Sequence, residues 1–134
     1  MKDWHVFYYS QQDGAYPVEE YIAALPKDDR SKTLAFIGLL KERGPDLPRP
    51  YADILEDGIH EPRIKLTGTQ TRILYFFCYQ NTIILTNVFE KHTDKVPGSE
   101  IRTAKKRRAD FLARFSEKDI RSGGNEAEKF HRPS

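Results

Sequence analysis

The densest concentration of chemically useful side chains lies in residues 88–97. Lys91, His92 and Lys95 lie within five residues of one another there, directly after a predicted strand. A strand end is a rigid support, so cations held on it can be positioned against a phosphate group. Histidine can in addition exchange a proton near neutral pH. The segment therefore predicts a site for phosphate chemistry at the end of a strand.

Three arginines are candidates to support such a site. Arg63 and Arg72 lie on neighbouring predicted strands, near the connection that joins them. A guanidinium group matches a phosphate through two parallel hydrogen bonds, so both are candidates to stabilise developing charge. Arg108 falls inside the apolar stripe of the last predicted helix, where a charge is costly unless it is paired or faces a ligand. The alternative for each is a structural ion pair, with a carboxylate such as Glu61 for the first two.

The candidate residues favour a reaction without a metal ion. Chemistry at a phosphate group without a metal ion needs a base, an acid and cations that stabilise the charge on the phosphate. The sequence has no carboxylate cluster with two-metal spacing and no His/Cys set suited to zinc, so we expect neither metal nor cofactor. Lys91 can bind phosphate or, if desolvated, act as a base, and His92 suits general acid or base work. Lys95 adds a third cation to the segment.

Charge is distributed unevenly along the chain. Residues 1–62 hold 7 Lys/Arg against 12 Asp/Glu, whereas residues 63–115 hold 11 against 4. The basic half predicts a face that binds a polyanion or an acidic protein partner. Lys105, Lys106 and Arg107 are predicted to lie on the outer faces of the last helix and to contribute to this face. A solvated helix surface is the alternative interpretation.

Composition favours a single cytoplasmic domain. The 134 residues are enough for one hydrophobic core, and the single cysteine, Cys78, is predicted to be a buried thiol in a reducing compartment. No apolar run approaches the roughly 20 residues that span a bilayer, and the amino terminus lacks the pattern of a signal peptide. We therefore expect a soluble protein that does not enter a membrane.

Hydrophobic periodicity predicts a strand, two helices, three antiparallel strands and a basic helix. Residues 45–58 hold four prolines or glycines and are predicted to be a loop. The domain is predicted to span 1–116, and 117–134 to be a disordered tail. The predicted elements are Trp4–Tyr9, Val18–Leu25, Lys27–Arg43, Ile59–Leu66, Arg72–Tyr79, Thr82–Phe89 and a helix that begins at Pro97.

Three segments together resemble the RelE/ParE toxin superfamily, and within it the HigB-like, phage-derived branch. Their order and spacing cover roughly residues 45–115, although each segment alone is weakly specific. Two departures from the family pattern are Pro62, where an aliphatic residue is usual, and His92, which replaces the second lysine of a common Lys-Lys pair. The segments are 55–64 (LEDGIHEPRI), 71–76 (TRILYF) and 89–111 (FEKHTDKVPGSEIRTAKKRRADF).

The resemblance implies an α+β fold, with an antiparallel twisted sheet of about four strands, two N-terminal helices and a C-terminal basic helix. It implies a type II toxin that cuts mRNA on the ribosome through the 2′-OH, with Arg63, Arg72, Lys91 and His92 as catalytic residues. It also implies that the RNA is bound by the other cations, which are Lys95, Lys105, Lys106, Arg107 and Arg108. Its expected partners are a helix-turn-helix antitoxin, mRNA and the ribosome, with DNA contacted only through the antitoxin. The alternative is a binding module, either a ParE-like gyrase inhibitor or an inactive toxin that co-represses its operon.

Overall fold

The computed structural model of the chain describes residues 4–46, 52–62, 70–93 and 95–121. The α+β class predicted from the sequence is confirmed. Within the described residues the chain forms five strands, which are β1 (His5–Tyr8), β2 (Ala52–Glu56), β3 (Ile59–Pro62), β4 (Thr71–Cys78) and β5 (Thr82–Glu90). It also forms four α-helices, which are α1 (Pro17–Ala23), α2 (Lys27–Arg43), α3 (Gly98–Arg114) and α4 (Glu117–Arg121).

The strands form one mixed sheet in the order β1-β5-β4-β3-β2. From β2 to β5, each strand pairs antiparallel with the next one along the chain, as expected for strands joined by short connections. Strand β1 instead pairs parallel with β5, with His5 opposite Thr82 and Tyr8 opposite Leu85. The prediction of a wholly antiparallel sheet is therefore wrong at this edge. The periodicity of an isolated N-terminal strand does not indicate which distant strand it joins, or in which direction.

Strand β2 corrects the prediction of a loop over residues 45–58. It runs antiparallel to β3, and the two are joined by Asp57 and Gly58 with φ angles of 50° and 79°. Both residues are in the left-handed region that two-residue hairpin turns require, and Asp-Gly is a sequence pair that favours it. The nearby prolines concealed this signal in the sequence. With β2 included, the sheet has five strands rather than the predicted number of about four.

The sheet carries a hydrophobic core on each face. On one side of the sheet, α1 and α2 cover side chains of β1, β4 and β5. On the other side, α3 and α4 cover the strand side chains at the alternate positions, which point to that face. The first core includes Val6, Ile37, Leu40, Ile73, Tyr75 and Leu85, and the second includes Phe7, Ile59, Leu74, Phe76, Ile84 and Phe111. Helix α3 therefore lies across the sheet face opposite the N-terminal helices.

A β-bulge in β5 fixes where α3 begins. The register shifts between Leu74 and Tyr75, so that Thr86 is the extra residue, and its hydroxyl donates to the Leu74 carbonyl at 3.0 Å. The next residue, Asn87, donates from Nδ2 to the Glu100 carboxylate at 2.9 Å and to the Glu100 carbonyl at 3.1 Å. These bonds hold the first turn of α3 against β5.

The predicted boundary of the disordered tail is too early in the sequence, because α4 occupies the first residues of that segment. Residues 117–121 are helical, and Ile120 is buried in the core beneath α3. Ser116 caps this helix, because its hydroxyl accepts from the Asp119 amide at 3.2 Å and the Asp119 carboxylate accepts from the Ser116 amide at 2.8 Å. The rest of the predicted tail, 122–134, lies outside the described residues.

Candidate functional site

Two of the predicted catalytic cations lie beside a carboxylate near the ends of three strands. Glu61 belongs to β3, Arg72 to β4, and Lys91 directly follows β5. The amide of Lys91 donates to the carbonyl of Gln70 at 2.8 Å, which extends the pairing of β4 and β5 beyond the last strand residue. Neighbouring antiparallel strands thus bring together residues that are as far as 30 positions apart in sequence.

The three side chains of this cluster are buried. Lys91 Nζ donates to Glu61 Oε1 at 3.0 Å, and the two side chains are only 7% and 8% exposed. Arg72 is fully buried and donates from Nη1 to the Thr71 carbonyl at 2.8 Å. Burial lowers the pKa of the Arg72 guanidinium, and the nearby Glu61 carboxylate partly offsets this effect. We refer to Glu61, Arg72 and Lys91 as the buried ionic cluster.

Glu61 is a member of the site that the sequence interpretation treated only as a partner for arginine. Its Oε2 atom is buried and accepts no hydrogen bond from the described part of the chain. A buried acceptor without a donor is costly, and in native proteins it often marks a functional position. The available sequence signal was the location of Glu61 two residues before Arg63, in a strand next to the one that carries Arg72.

His92 and Lys95, which were also predicted to belong to the site, are not part of the cluster. The His92 side chain is 72% exposed, and its Nε2 lies 3.9 Å from Glu90 Oε2. Lys95 is also exposed. Arg63 lies outside the described residues. Lys91 and His92 are adjacent in sequence but differ sharply in environment, because the chain turns outward directly after Lys91.

Two cations of α3 that were predicted to bind RNA form ion pairs with the β2–β3 hairpin. Lys105 forms an ion pair with Glu56, and Arg108 Nη2 donates to Asp57 Oδ2 at 2.8 Å. Arg108 also donates from Nη1 to the Asp57 carbonyl. Of the two interpretations of Arg108, the structure contains the ion pair. These contacts attach one side of α3 to the hairpin turn.

The other side of α3 faces the end of β1. Lys106 is exposed there, as predicted, whereas the prediction that Arg107 lies on an outer face is wrong. Arg107 is partly buried, because Nη1 donates to the carbonyl of Thr86 at 2.7 Å and the guanidinium lies 5.4 Å from the centre of the Tyr9 ring. The bulge at Thr86 exposes that carbonyl to Arg107.

Asp110 organises the polar contacts on this side of α3. Its carboxylate accepts from Tyr9 Oη at 2.5 Å, from Gln12 Nε2 at 3.0 Å and from Arg114 Nη2 at 2.7 Å. Burial alone raises the pKa of Asp110, but these three hydrogen bonds and the Arg114 charge outweigh it and lower the pKa to about 2. Asp110 is therefore ionised at neutral pH, and the network ties α3 to the segment after β1.

Acid titration is expected to reveal this network. The pKa of Asp110 is depressed from 3.8 to about 2, so its contribution to stability is present above pH 4 and is lost as the pH falls towards 2. We expect Asp110→Asn to be less stable than wild type at pH 7 and to lose less stability between pH 4 and pH 2. Urea unfolding at a series of pH values measures this difference. Parallel pH dependences of the two proteins would contradict the assignment.

The remaining chemical features of the site are limited. Among the described residues, no group of three or more His, Cys, Asp or Glu side chains is arranged to hold a metal ion. Cys78 is only partly buried rather than fully so, and burial, with a smaller effect from Glu117, raises the pKa of its thiol to about 12. That thiol is therefore a poor nucleophile.

In the ranges that the structure describes, no helix has the length and apolar character needed to cross a membrane.

The fold defines the class of this protein. A five-stranded sheet with two N-terminal helices on one face and a basic helix on the other is a RelE-like α+β arrangement. The sequence profile of the family described as "Phage derived protein Gp49-like (DUF891)" matches residues 20–109. This match covers more than half of the 134 residues, and the chain belongs to this phage-derived family. No curated protein matches the chain.

Proposed function

We propose that this protein is the toxin of a type II toxin–antitoxin system, and that it inhibits translation by cutting mRNA without a metal ion. Membership of the phage-derived Gp49-like family supports the toxin assignment. The observation that carries the proposed chemistry is the buried ionic cluster, in which Lys91 and Glu61 pair at 3.0 Å beside Arg72. The cluster contains a proton acceptor and two cations, which are groups that cleavage through a 2′-OH requires.

The mechanism begins with a change of partner for Lys91. In the free protein its ammonium group is committed to Glu61. An RNA phosphate that enters the cluster replaces the carboxylate as the partner of Lys91, and Glu61 is then free to accept the 2′-OH proton. The 2′ oxygen attacks the phosphorus atom, the bond to the 5′ oxygen breaks, and a 2′,3′-cyclic phosphate forms. Arg72 and Lys91 stabilise the added negative charge on the phosphate oxygens.

The proton for the departing 5′ oxygen is assigned to His92. It follows Lys91 directly and is exposed to solvent, and an imidazole is the side chain most often used as a general acid. Lys95 is exposed in the same turn and is assigned to the RNA backbone. The proposed partners are mRNA on the ribosome and a helix-turn-helix antitoxin, through which DNA is contacted indirectly. Arg63 remains a predicted catalytic residue, and assignment to the HigB-like branch remains part of this proposal.

Substitution of His92 tests this function without disturbing the core. We expect His92→Gln to reduce the rate of mRNA cleavage by about 100-fold, because general acid catalysis contributes 10²–10⁴-fold. The control is His5→Gln, since His5 pairs with Thr82 at the other end of β5 from His92. The measurement is the rate at which new mRNA 5′ ends appear, with and without ribosomes. Equal rates for wild type and His92→Gln would remove His92 from the mechanism.

The product and the effect of a chelator test the metal-free route. Wild-type cleavage is expected to leave 2′,3′-cyclic phosphate ends. Cleavage of free RNA, measured without ribosomes, is expected to continue at an unchanged rate in excess EDTA. Substrates with a 2′-O-methyl group at the cut position are expected to remain intact. Cleavage of those substrates, or 3′-hydroxyl products, would contradict the use of the 2′-OH.

The alternative function is a binding module that inhibits gyrase or co-represses its operon without catalysis. The burial of Lys91 and Arg72 is the observation that favours it, because neither cation is open to solvent in the free protein. Inhibition of DNA supercoiling by purified protein, with no new mRNA ends, would establish the gyrase function. Operator binding that increases on addition of the toxin to its antitoxin, with no effect on growth, would establish the co-repressor function.

A further inference from the structure

A cavity of about 380 Å³ lies on the side of α3 that faces β1. It is separate from the buried ionic cluster, whose residues come from β3, β4 and the end of β5. Tyr9 and Asp110 form a fixed wall of the cavity through the hydrogen bond between them. The lining residues are Tyr9, Gln11, Gln12, Thr103, Lys106, Arg107 and Asp110.

The cavity has positive charge that no carboxylate of the described ranges neutralises. Among the described residues Asp110 is the one acid that lines it, and this carboxylate is engaged by Arg114, which does not line the cavity. Lys106 and Arg107 form no ion pair within the described ranges, whereas Lys105 and Arg108 on the opposite side of α3 are paired with Glu56 and Asp57. Two cations of the helix without a carboxylate partner in the described ranges, Lys106 and Arg107, therefore meet at the cavity.

The hydrogen-bonding groups of the cavity complement a phosphate ester with an attached base. Lys106 and the remaining Arg107 N–H groups are donors for phosphate oxygens. Gln11 presents an amide that can both donate to and accept from a base edge, as glutamine does in nucleic-acid recognition. The carboxylate of Asp110 already accepts four hydrogen bonds from Tyr9, Gln12 and Arg114, so it adds little acceptor capacity for a cationic ligand.

We propose that this cavity is a binding site for one nucleotide of an RNA strand. Its volume is within the range of about 300–1,000 Å³ that is typical of small-ligand sites. The phosphate contacts Lys106 and Arg107, and the base contacts Gln11. The biological ligand rests on the proposed function, since a toxin that cuts mRNA would use such a site to hold the strand beside the catalytic cluster. Binding itself requires no cleavage and is measured separately.

Two lysines that are adjacent in sequence provide a matched test. We expect Lys106→Gln to weaken binding of a short 2′-O-methyl RNA by about 5-fold at low salt and to reduce the salt dependence by about one counterion. Lys105→Gln removes the same charge from the other side of α3 and is expected to weaken binding less than about 2-fold. Fluorescence anisotropy measures both. Equal losses in the two variants would show diffuse attraction and overturn the site.

A second experiment locates the ligand. Adenosine 5′-monophosphate is expected to shift the side-chain amide signals of Gln11 and Gln12 in NMR spectra, and inorganic phosphate alone is expected to cause smaller shifts in the same region. Thr103→Tyr fills the cavity and should abolish these shifts, with thermal unfolding as the control for folding. Shifts confined to other residues, or retained in Thr103→Tyr, would overturn the proposal. Because these ligands are not cleaved, failure of the proposed catalysis would leave this result unaffected.

Discussion

Replacement of Lys91 by methionine is expected to lower the free energy of unfolding by about 3–5 kcal/mol. The ammonium group of Lys91 is the hydrogen-bond donor to Glu61 Oε1, and both side chains are more than nine-tenths buried. Removal of the cation leaves a buried carboxylate without that partner, which is far more costly than the loss of an exposed ion pair. Urea denaturation at pH 7 provides the measurement.

The double variant Lys91→Met/Glu61→Gln tests whether the stability lost in Lys91→Met comes from the interaction between these two side chains. Because it removes both charges together, we expect it to recover at least half of the stability lost in Lys91→Met. Lys105→Met is the matched control, since the pair of Lys105 with Glu56 is 35% and 53% exposed and should contribute less than about 1 kcal/mol. A loss below about 1 kcal/mol in Lys91→Met, or additive losses in the double variant, would contradict a tightly coupled pair.

This stability effect changes how the catalytic experiments should be designed. Loss of toxicity in Lys91→Met alone can arise from unfolding rather than from loss of a catalytic group. The double variant with Glu61→Gln restores part of the stability but still lacks both the cation and the proton acceptor. A folded double variant that cuts no mRNA would support the assigned chemistry, and one that retains full activity would exclude both residues from it.

Replacement of Gly44 by alanine is the second change with a large expected effect. Gly44 ends α2 with φ 52° and ψ −131°, a conformation that favours glycine, and an added Cβ would overlap the indole ring of Trp4. That ring packs edge-on against Phe77, with 5.6 Å between the ring centres, so it has little freedom to move. We expect Gly44→Ala to lower the free energy of unfolding by about 3 kcal/mol.

Gly38 offers a control in the same helix. It lies in the interior of α2, where an added Cβ would meet no atom within 4 Å. Gly38→Ala is therefore expected to raise the free energy of unfolding by about 0.5–1 kcal/mol, because alanine favours helix more than glycine does. Both variants are compared by thermal and urea unfolding. A Gly44→Ala protein as stable as wild type would show that Trp4 is free to change its position.

Hydrophobic periodicity, together with the proline and glycine residues at the ends of the elements, predicted most of the elements that carry the site. Helix α2 has the predicted bounds Lys27–Arg43, because Pro26 and Gly44 limit an otherwise regular apolar pattern. The strands that carry Arg72 and lead to Lys91 were also predicted within one residue at each end. Such features are local, so a short stretch of sequence is sufficient to specify them.

The features that were not predicted depend on contacts between distant residues. The pairing of Lys91 with Glu61 requires the order of the strands, and the position of Arg107 depends on a bulge that exposes the Thr86 carbonyl. Helical spacing placed Arg108 inside the apolar stripe, with an ion pair as one alternative, but the hairpin turn that supplies Asp57 was hidden within a predicted loop. Local pattern identified Arg72 and Lys91 as candidates but not Glu61, and tertiary structure determined their partners.

The parallel pairing of β1 with β5 has a consequence for the synthesis of this protein. Residues His5–Tyr8 pair with Thr82–Leu85, and β5 is the strand to which β1 is joined in the described sheet. Strand β1 is synthesised well before β5, so it must wait for most of the domain to be translated before it finds its neighbour. Contacts this distant in sequence slow folding, because the intervening chain must be ordered first. A nascent chain that ends before about residue 85 lacks part of the strand with which β1 pairs.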